Sequence, residues 1–134
     1  MSKSNPVQKG LSMADVSEKP VTYRLALASG KITVGEQAFA MLRDRSLPKG
    51  DALALAEFAG IVAAKQTPNL IPLCHPISLN RVSIHTRLLA DSFAVEVFCV
   101  AEINARTGVE MEALCGLNIA LLTIAPTGTT SLMT

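Results

Sequence analysis

From Thr22 to Val34 the residues alternate. Tyr23, Leu25 and Leu27 fall on one side of an extended chain, and Thr22, Arg24 and Ala26 on the other. That is the two-residue period of a strand, with Ser29-Gly30-Lys31 reading as a turn or bulge. The period then changes. Between Gly35 and Ser46, Ala38, Met41 and Leu42 recur at helical spacing and predict a short amphipathic helix. Leu47-Pro48-Lys49-Gly50-Asp51 breaks it, and Asp51 is a natural N-cap for a second helix, Ala52 to Gln66. Glu57 is the only charge in that helix before Lys65, so it is expected to be buried on most sides. Thr67-Pro68-Asn69 ends it. The segment Leu70 to Pro76 carries a proline near each end and is expected to be extended or turning rather than helical. Two further alternating runs, Arg81 to Leu89 and Phe93 to Glu102, are joined by Ala90-Asp91-Ser92 and predict an antiparallel hairpin. Thr107-Gly108-Val109-Glu110 has the form of a capping box, with Thr107 as N-cap and Glu110 at N3, and the last helix runs to about Ile124. These elements predict an α+β fold with helices packed on one face of a mainly antiparallel sheet.

The ends lack this periodicity. Residues 1–12 are polar and read as a mobile arm, and residues 125–134 as an irregular tail. The 134 residues suit one domain. Hydrophobic residues make up 49% but aromatics only 4%, so the core is built on Ala, Val, Leu and Ile, and other subunits are a natural cover for part of the apolar surface. A net charge of +1 gives no general attraction to nucleic acid or membrane. The three cysteines, Cys74, Cys99 and Cys115, form no C-x-x-C pair and fit a reducing compartment. Cys99 and Cys115 sit in apolar runs and read as small buried side chains. No signal-peptide pattern opens the sequence.

Local chemistry gathers at a few positions. Cys74-His75 closes an apolar run, and His75 reads as a proton donor, a phosphate contact or simply a loop histidine. A metal site is disfavoured because no regular ligand spacing accompanies it. Lys49-Gly50 precedes a helix N-terminus, where an ammonium and free N–H groups suit a phosphate; a solvated turn lysine is the commoner case. Glu110 and Glu112 stand about 200° apart around a helix axis. Glu110 has the capping box to serve; Glu112 has no such role and is carried toward apolar surroundings, where a carboxylate needs a partner or a raised pKa. Arg106, Arg24 and Lys65 have ordinary readings as paired or solvated cations, and His85 as a surface residue. Together these residues suit a phosphate-bearing small molecule.

Four strings are more specific than this chemistry. Met13-Ala14-Asp15-Val16-Ser17-Glu18-Lys19-Pro20, Ala59 to Lys65, Leu70-Ile71-Pro72-Leu73-Cys74-His75-Pro76 and Thr107-Gly108-Val109-Glu110-Met111-Glu112-Ala113-Leu114, with Lys49-Gly50-Asp51, resemble the MoaC family, the cyclic pyranopterin monophosphate synthases of molybdenum-cofactor synthesis. The resemblance runs in order from about Met13 to Ile124, so that residues 13–134 form one MoaC-like domain. It implies a ferredoxin-like α+β subunit, a hexamer built as a trimer of dimers with sites at subunit interfaces, and a cytoplasmic lyase. That lyase converts 3',8-cyclo-7,8-dihydro-GTP to cyclic pyranopterin monophosphate and releases pyrophosphate, without metal or other cofactor. By position it implies catalytic roles for Lys49, His75 and Glu112, and substrate contacts from Leu73, Cys74, His75, Glu110, Met111, Glu112, Arg24 and Lys65.

One stretch departs from the pattern. After Leu122-Thr123-Ile124 the family's catalytic Asp falls on Pro126 and its catalytic Lys on Thr129, and the family's final strand and later lysine have no counterpart. Pro126 also breaks a helix that the family continues. The alternative reading is therefore a non-catalytic member that binds nucleotide or mixes into oligomers.

Overall fold

The computed structural model describes residues 10–72 and 74–125. The order of elements is β1 (Thr22–Thr33), α1 (Glu36–Asp44), α2 (Ala52–Lys65), a single-turn α3 (Thr67–Leu70), β2 (Arg81–Leu89), β3 (Ala94–Ala105) and α4 (Glu110–Ile124). The three strands form one antiparallel sheet in the order β1-β3-β2. A 3-10 turn over Ala90–Ser92 links β2 to β3. This is the α+β architecture expected from the sequence, with α4 lying over β1 and β3, and α2 over β2.

The sheet's inner face explains how close those helices come. It presents Ala28 from β1, Ile84 from β2, and Val95, Val97, Cys99, Ala101 and Ile103 from β3, all buried. Small residues on both layers allow backbone-to-backbone approach. A Cβ added to Gly60 would lie 2.9 Å from the carbonyl oxygen of Gly116, and one added to Gly116 would lie 2.8 Å from Cys99 Sγ. The α2–α4 crossing therefore has no room for even a methyl group. Asp51 caps α2, its carboxylate accepting the Ala54 N–H at 3.1 Å, as its position before the apolar run predicts.

Several expectations change. Ser29-Gly30-Lys31 is no turn: β1 runs straight through, pairing with Phe98, Val97 and Glu96. Gly30 there faces Leu117 and Leu121 of α4, and a Cβ would stand 3.2 Å from Leu121 Cδ1, a close contact. β1 turns the small side of its alternation, Ala26, Ala28 and Gly30, toward the closely packed helices, and Tyr23, Leu25 and Leu27 point outward, 59%, 54% and 61% exposed. Residues Thr67 to Leu70 form a helical turn despite Pro68; proline is tolerated in a first turn, where its missing N–H has no partner to lose. Thr67 is fully buried and donates its hydroxyl to the carbonyls of Ala63 and Ala64. Cys99 is buried as expected, but Cys115 is only partly so. The irregular tail beyond Ala125 and the arm over 1–9 lie outside the described residues.

Candidate active site

The capping box does not form. α4 starts at Glu110, after Val109, and no side chain caps it. Thr107 and Gly108 instead make the approach to the helix, so Glu110 takes N1 and Glu112 takes N3. The first turn of α4 thus holds two carboxylates beside N–H groups that lack intrahelical partners, which favours negative charge. The two point differently, as their spacing requires: Glu110 is exposed, while Glu112 is 4% exposed. Burial raises the Glu112 carboxyl above its ordinary value; acceptance of its own backbone N–H opposes this, and the Glu110 charge adds to it. Glu112 therefore keeps its proton at pH values where a free carboxyl has lost it.

The loop from Cys74 to Leu79 brings Cys74 and His75 to this same turn. Cys74, His75, Glu110, Met111 and Glu112 line one cleft of about 300 Å³. Two strings thirty-odd positions apart in the sequence thus meet within a single chain. Burial pushes the Cys74 thiol up, with the Glu112 carboxylate and Cys115 adding to the shift, so it stands as a thiol at neutral pH. His75 is half-buried, and its Nε2 lies 2.8 Å from the carbonyl oxygen of Ala14. A buried carboxyl that titrates above its ordinary value, an imidazole and a thiol around one cleft form a set that can exchange protons with a bound ring.

Other predicted residues lie elsewhere. Lys49 sits at the opposite end of α4, donating to the carbonyl oxygens of Thr123 at 2.7 Å and Ala125 at 2.9 Å. Partial burial draws its ammonium below the ordinary lysine value. Along the α4 axis, Thr123 and Glu112 are about 17 Å apart. The structure therefore does not bring Lys49 and His75 together in one chain. Arg24 is partly buried in β1, bonded to the Thr22 hydroxyl and, at 3.4 Å, to the carbonyl of Arg106. Lys65 is exposed at the end of α2. Because α2 runs antiparallel to α4, Lys65 ends at the same side as the cleft. His85 is exposed on the sheet's outer face, as expected. Leu73, Pro126 and Thr129 lie outside the described residues. Among the described residues no group of three His, Cys, Asp or Glu side chains could hold a metal ion, and no helix is long and apolar enough to cross a membrane.

Sequence reasoning missed one wall of the cleft. Ala14, Val16 and Lys19 line it, on a strap that passes over His75. The Asp15 carboxylate accepts the Ser17 N–H at 3.0 Å, and the Lys19 N–H reaches the Val16 carbonyl at 3.0 Å. Asp15-Val16-Ser17 carries the signature of such an Asx turn, but nothing in it points to the residue it would cover. His75 and Arg106 also border two adjoining clefts of about 370 and 600 Å³.

Comparison with known proteins matches this arrangement to one family. The sequence pattern of the MoaC family matches residues 13–126, which include the strap, the Cys74-His75 loop and all of α4. The chain is 49% identical over 112 residues to a cyclic pyranopterin monophosphate synthase of Streptomyces griseus, covering 84% of the chain and 62% of that protein. It is 50% identical over 113 residues to the synthase of a Nocardioides species, covering 84% and 69%. It is 44% identical over 117 residues to a probable synthase of Pyrococcus abyssi, covering 87% and 72%. The chain thus spans about two thirds of the length of these relatives. With the family pattern extending over most of the chain and the matched strings converging on one cleft, the chain belongs to the MoaC family.

Proposed function

We propose that this chain is a subunit of a cytoplasmic cyclic pyranopterin monophosphate synthase, acting on 3',8-cyclo-7,8-dihydro-GTP with release of pyrophosphate. The observation that carries the reading is the cleft that joins Cys74-His75 to Met111-Glu112. In this reading Glu112 delivers a proton to the purine-derived ring during its rearrangement, and His75 takes or returns one. Leu73, Cys74, Met111 and Glu110 contact the ring, and Arg24, Lys65 and Lys49 bind the phosphates and stabilise the departing pyrophosphate.

In this reading Lys49 and the cleft reach one substrate across a boundary between copies. Lys49 stands about 17 Å along α4 from Glu112, beyond the reach of one nucleotide-sized ring and its nearest phosphate. A second copy packed with reversed polarity would present its Lys49 to the first copy's His75. Apolar residues left uncovered support association. Leu25 and Leu27 are 54% and 61% exposed on the sheet, and Phe58 and Leu122 are 70% and 66% exposed on the helices. Two separate apolar faces suit the two kinds of interface that a trimer of dimers requires. Pro126 and Thr129 supply neither a carboxylate nor an ammonium where the family has its catalytic pair, so turnover by this chain rests on the cleft and Lys49. Incubating the purified protein with 3',8-cyclo-7,8-dihydro-GTP and measuring product and pyrophosphate tests the function: slow but stoichiometric formation of both is expected, and binding without any product would remove it.

A further inference from the structure

The bond between His75 and the strap fixes more than the ring's position. A carbonyl oxygen only accepts, so His75 Nε2, 2.8 Å from the Ala14 oxygen, must carry the hydrogen. Protonation of the ring leaves this bond intact, because Nε2 donates in both the neutral and the charged imidazole. The proton that comes and goes is then on Nδ1, which has no hydrogen-bond partner among the described residues. We propose that the strap 13–17 is a positioning element that locks His75 in its Nε2–H tautomer and makes Nδ1 the atom that exchanges protons with substrate.

Asp15 is the residue that holds the strap. Its carboxylate accepts the Ser17 N–H at 3.0 Å and closes an Asx turn, immediately after the carbonyl that His75 uses. The Lys19 N–H to Val16 carbonyl bond tightens the next turn. Among the described residues the strap has little else to fix it: residues 11–15 and 17–19 are exposed, and Val16 is partly buried. A small loss of turn stability is therefore transmitted to the Ala14 carbonyl. Ala14, Val16, Lys19 and His75 all line the cleft that Glu112 enters, so the same strap both orients the imidazole and bounds the space beside it. The catalytic meaning of this tautomer rests on His75 acting in proton transfer, but the tautomer itself is measurable without turnover.

Long-range proton–nitrogen NMR of the full chain, recorded above the titration of its histidines, reads it directly. The chain has only two histidines, His75 and His85, and a His85→Gln variant assigns them. For His75 we expect a pyrrole-type Nε2, a pyridine-type Nδ1 and an Nε2–H protected from exchange. Asp15→Ala should lose the protected N–H signal and move both nitrogens toward averaged shifts. Asp15→Asn should keep the parent pattern, since its amide oxygen still accepts from Ser17. An Nδ1–H tautomer in the parent, or an Asp15→Ala spectrum unchanged from the parent, overturns the proposal. Were Asp15→Ala not to fold, the parent spectrum alone decides. A parent chain that shows the Nε2–H tautomer but no turnover would count against the proposed function and leave the strap's hold on His75 standing.

Discussion

The two ends of α4 carry opposite chemistry. Its first turn gathers acids, Glu110 and Glu112, beside free N–H groups; its last turn gathers a cation, Lys49, on free carbonyls. Both arrangements follow the helix dipole, yet they differ in how completely they are satisfied. Lys49 makes two short hydrogen bonds and so has a full structural role before any ligand arrives. Glu112 is buried and bonded to no other residue's side chain among the described residues, and it sits against a cleft with His75 and Cys74. A charged group that is already paired explains itself by stability. A buried acid left without a partner points to chemistry.

That contrast can be broken at its strongest point by His75→Ala. Loss of an acid–base group is expected to cut turnover by about 10²–10⁴-fold, while thermal unfolding barely moves, because the ring is half-buried in a loop. A variant that lost stability in proportion to activity would place His75 with Lys49, among the structural residues. At the opposite end, the double variant P126D/T129K restores the residue types that the family carries after α4. Product formation is expected to rise by about 10²-fold; an unchanged rate would mean that the region beyond Ala125 takes no part.

Lys49→Ala should show both roles at once. Removing two hydrogen bonds from an ammonium is expected to destabilise the fold by about 1–3 kcal/mol, and the affinity for a triphosphate ligand, measured by calorimetry, should fall as well. Retained affinity with lowered stability would leave Lys49 purely structural. The smallest effect is the pH dependence of Glu112. Its folded carboxyl titrates above the ordinary value of 4.5, so its contribution to stability is full below that value and is lost as pH rises through the folded pKa. Glu112→Gln should therefore gain stability relative to the parent as pH rises above 4.5 toward neutrality, and show no such gain below it. Denaturant midpoints measured across that range check the sign.

Much of this was legible in the sequence, and the failures have physical causes. The hairpin over Arg81 to Glu102 and the Asp51 cap were readable because alternation and capping are local. The opposite orientations of Glu110 and Glu112 followed from helix geometry alone, whatever the exact start of α4. What failed depended on neighbours. Ser29-Gly30-Lys31 looks like a turn until it is seen paired along β3 with Phe98, Val97 and Glu96, with Leu117 and Leu121 of α4 close over Gly30. The alternation of β1 left open which side faces the helices; the close Gly60–Gly116 crossing goes with the small side, Ala26, Ala28 and Gly30, inward and Tyr23, Leu25 and Leu27 outward. The capping box is a local motif displaced by two residues: the N-cap is Val109, not Thr107. The strap's hold on His75 joins positions 61 apart through a backbone carbonyl, which has no sequence signature.

The central claim is that one substrate is held between the Lys49 end of one chain and the His75 end of another. Mixing Lys49→Ala and His75→Ala subunits, with dissociation and reassembly, tests it most directly. In a randomly reassembled dimer each hybrid keeps one intact site, so about one quarter of all sites should regain the parental rate of product formation. A mixture that turns over no faster than the average of its two components would contradict the claim, since each site would then draw both residues from the same chain.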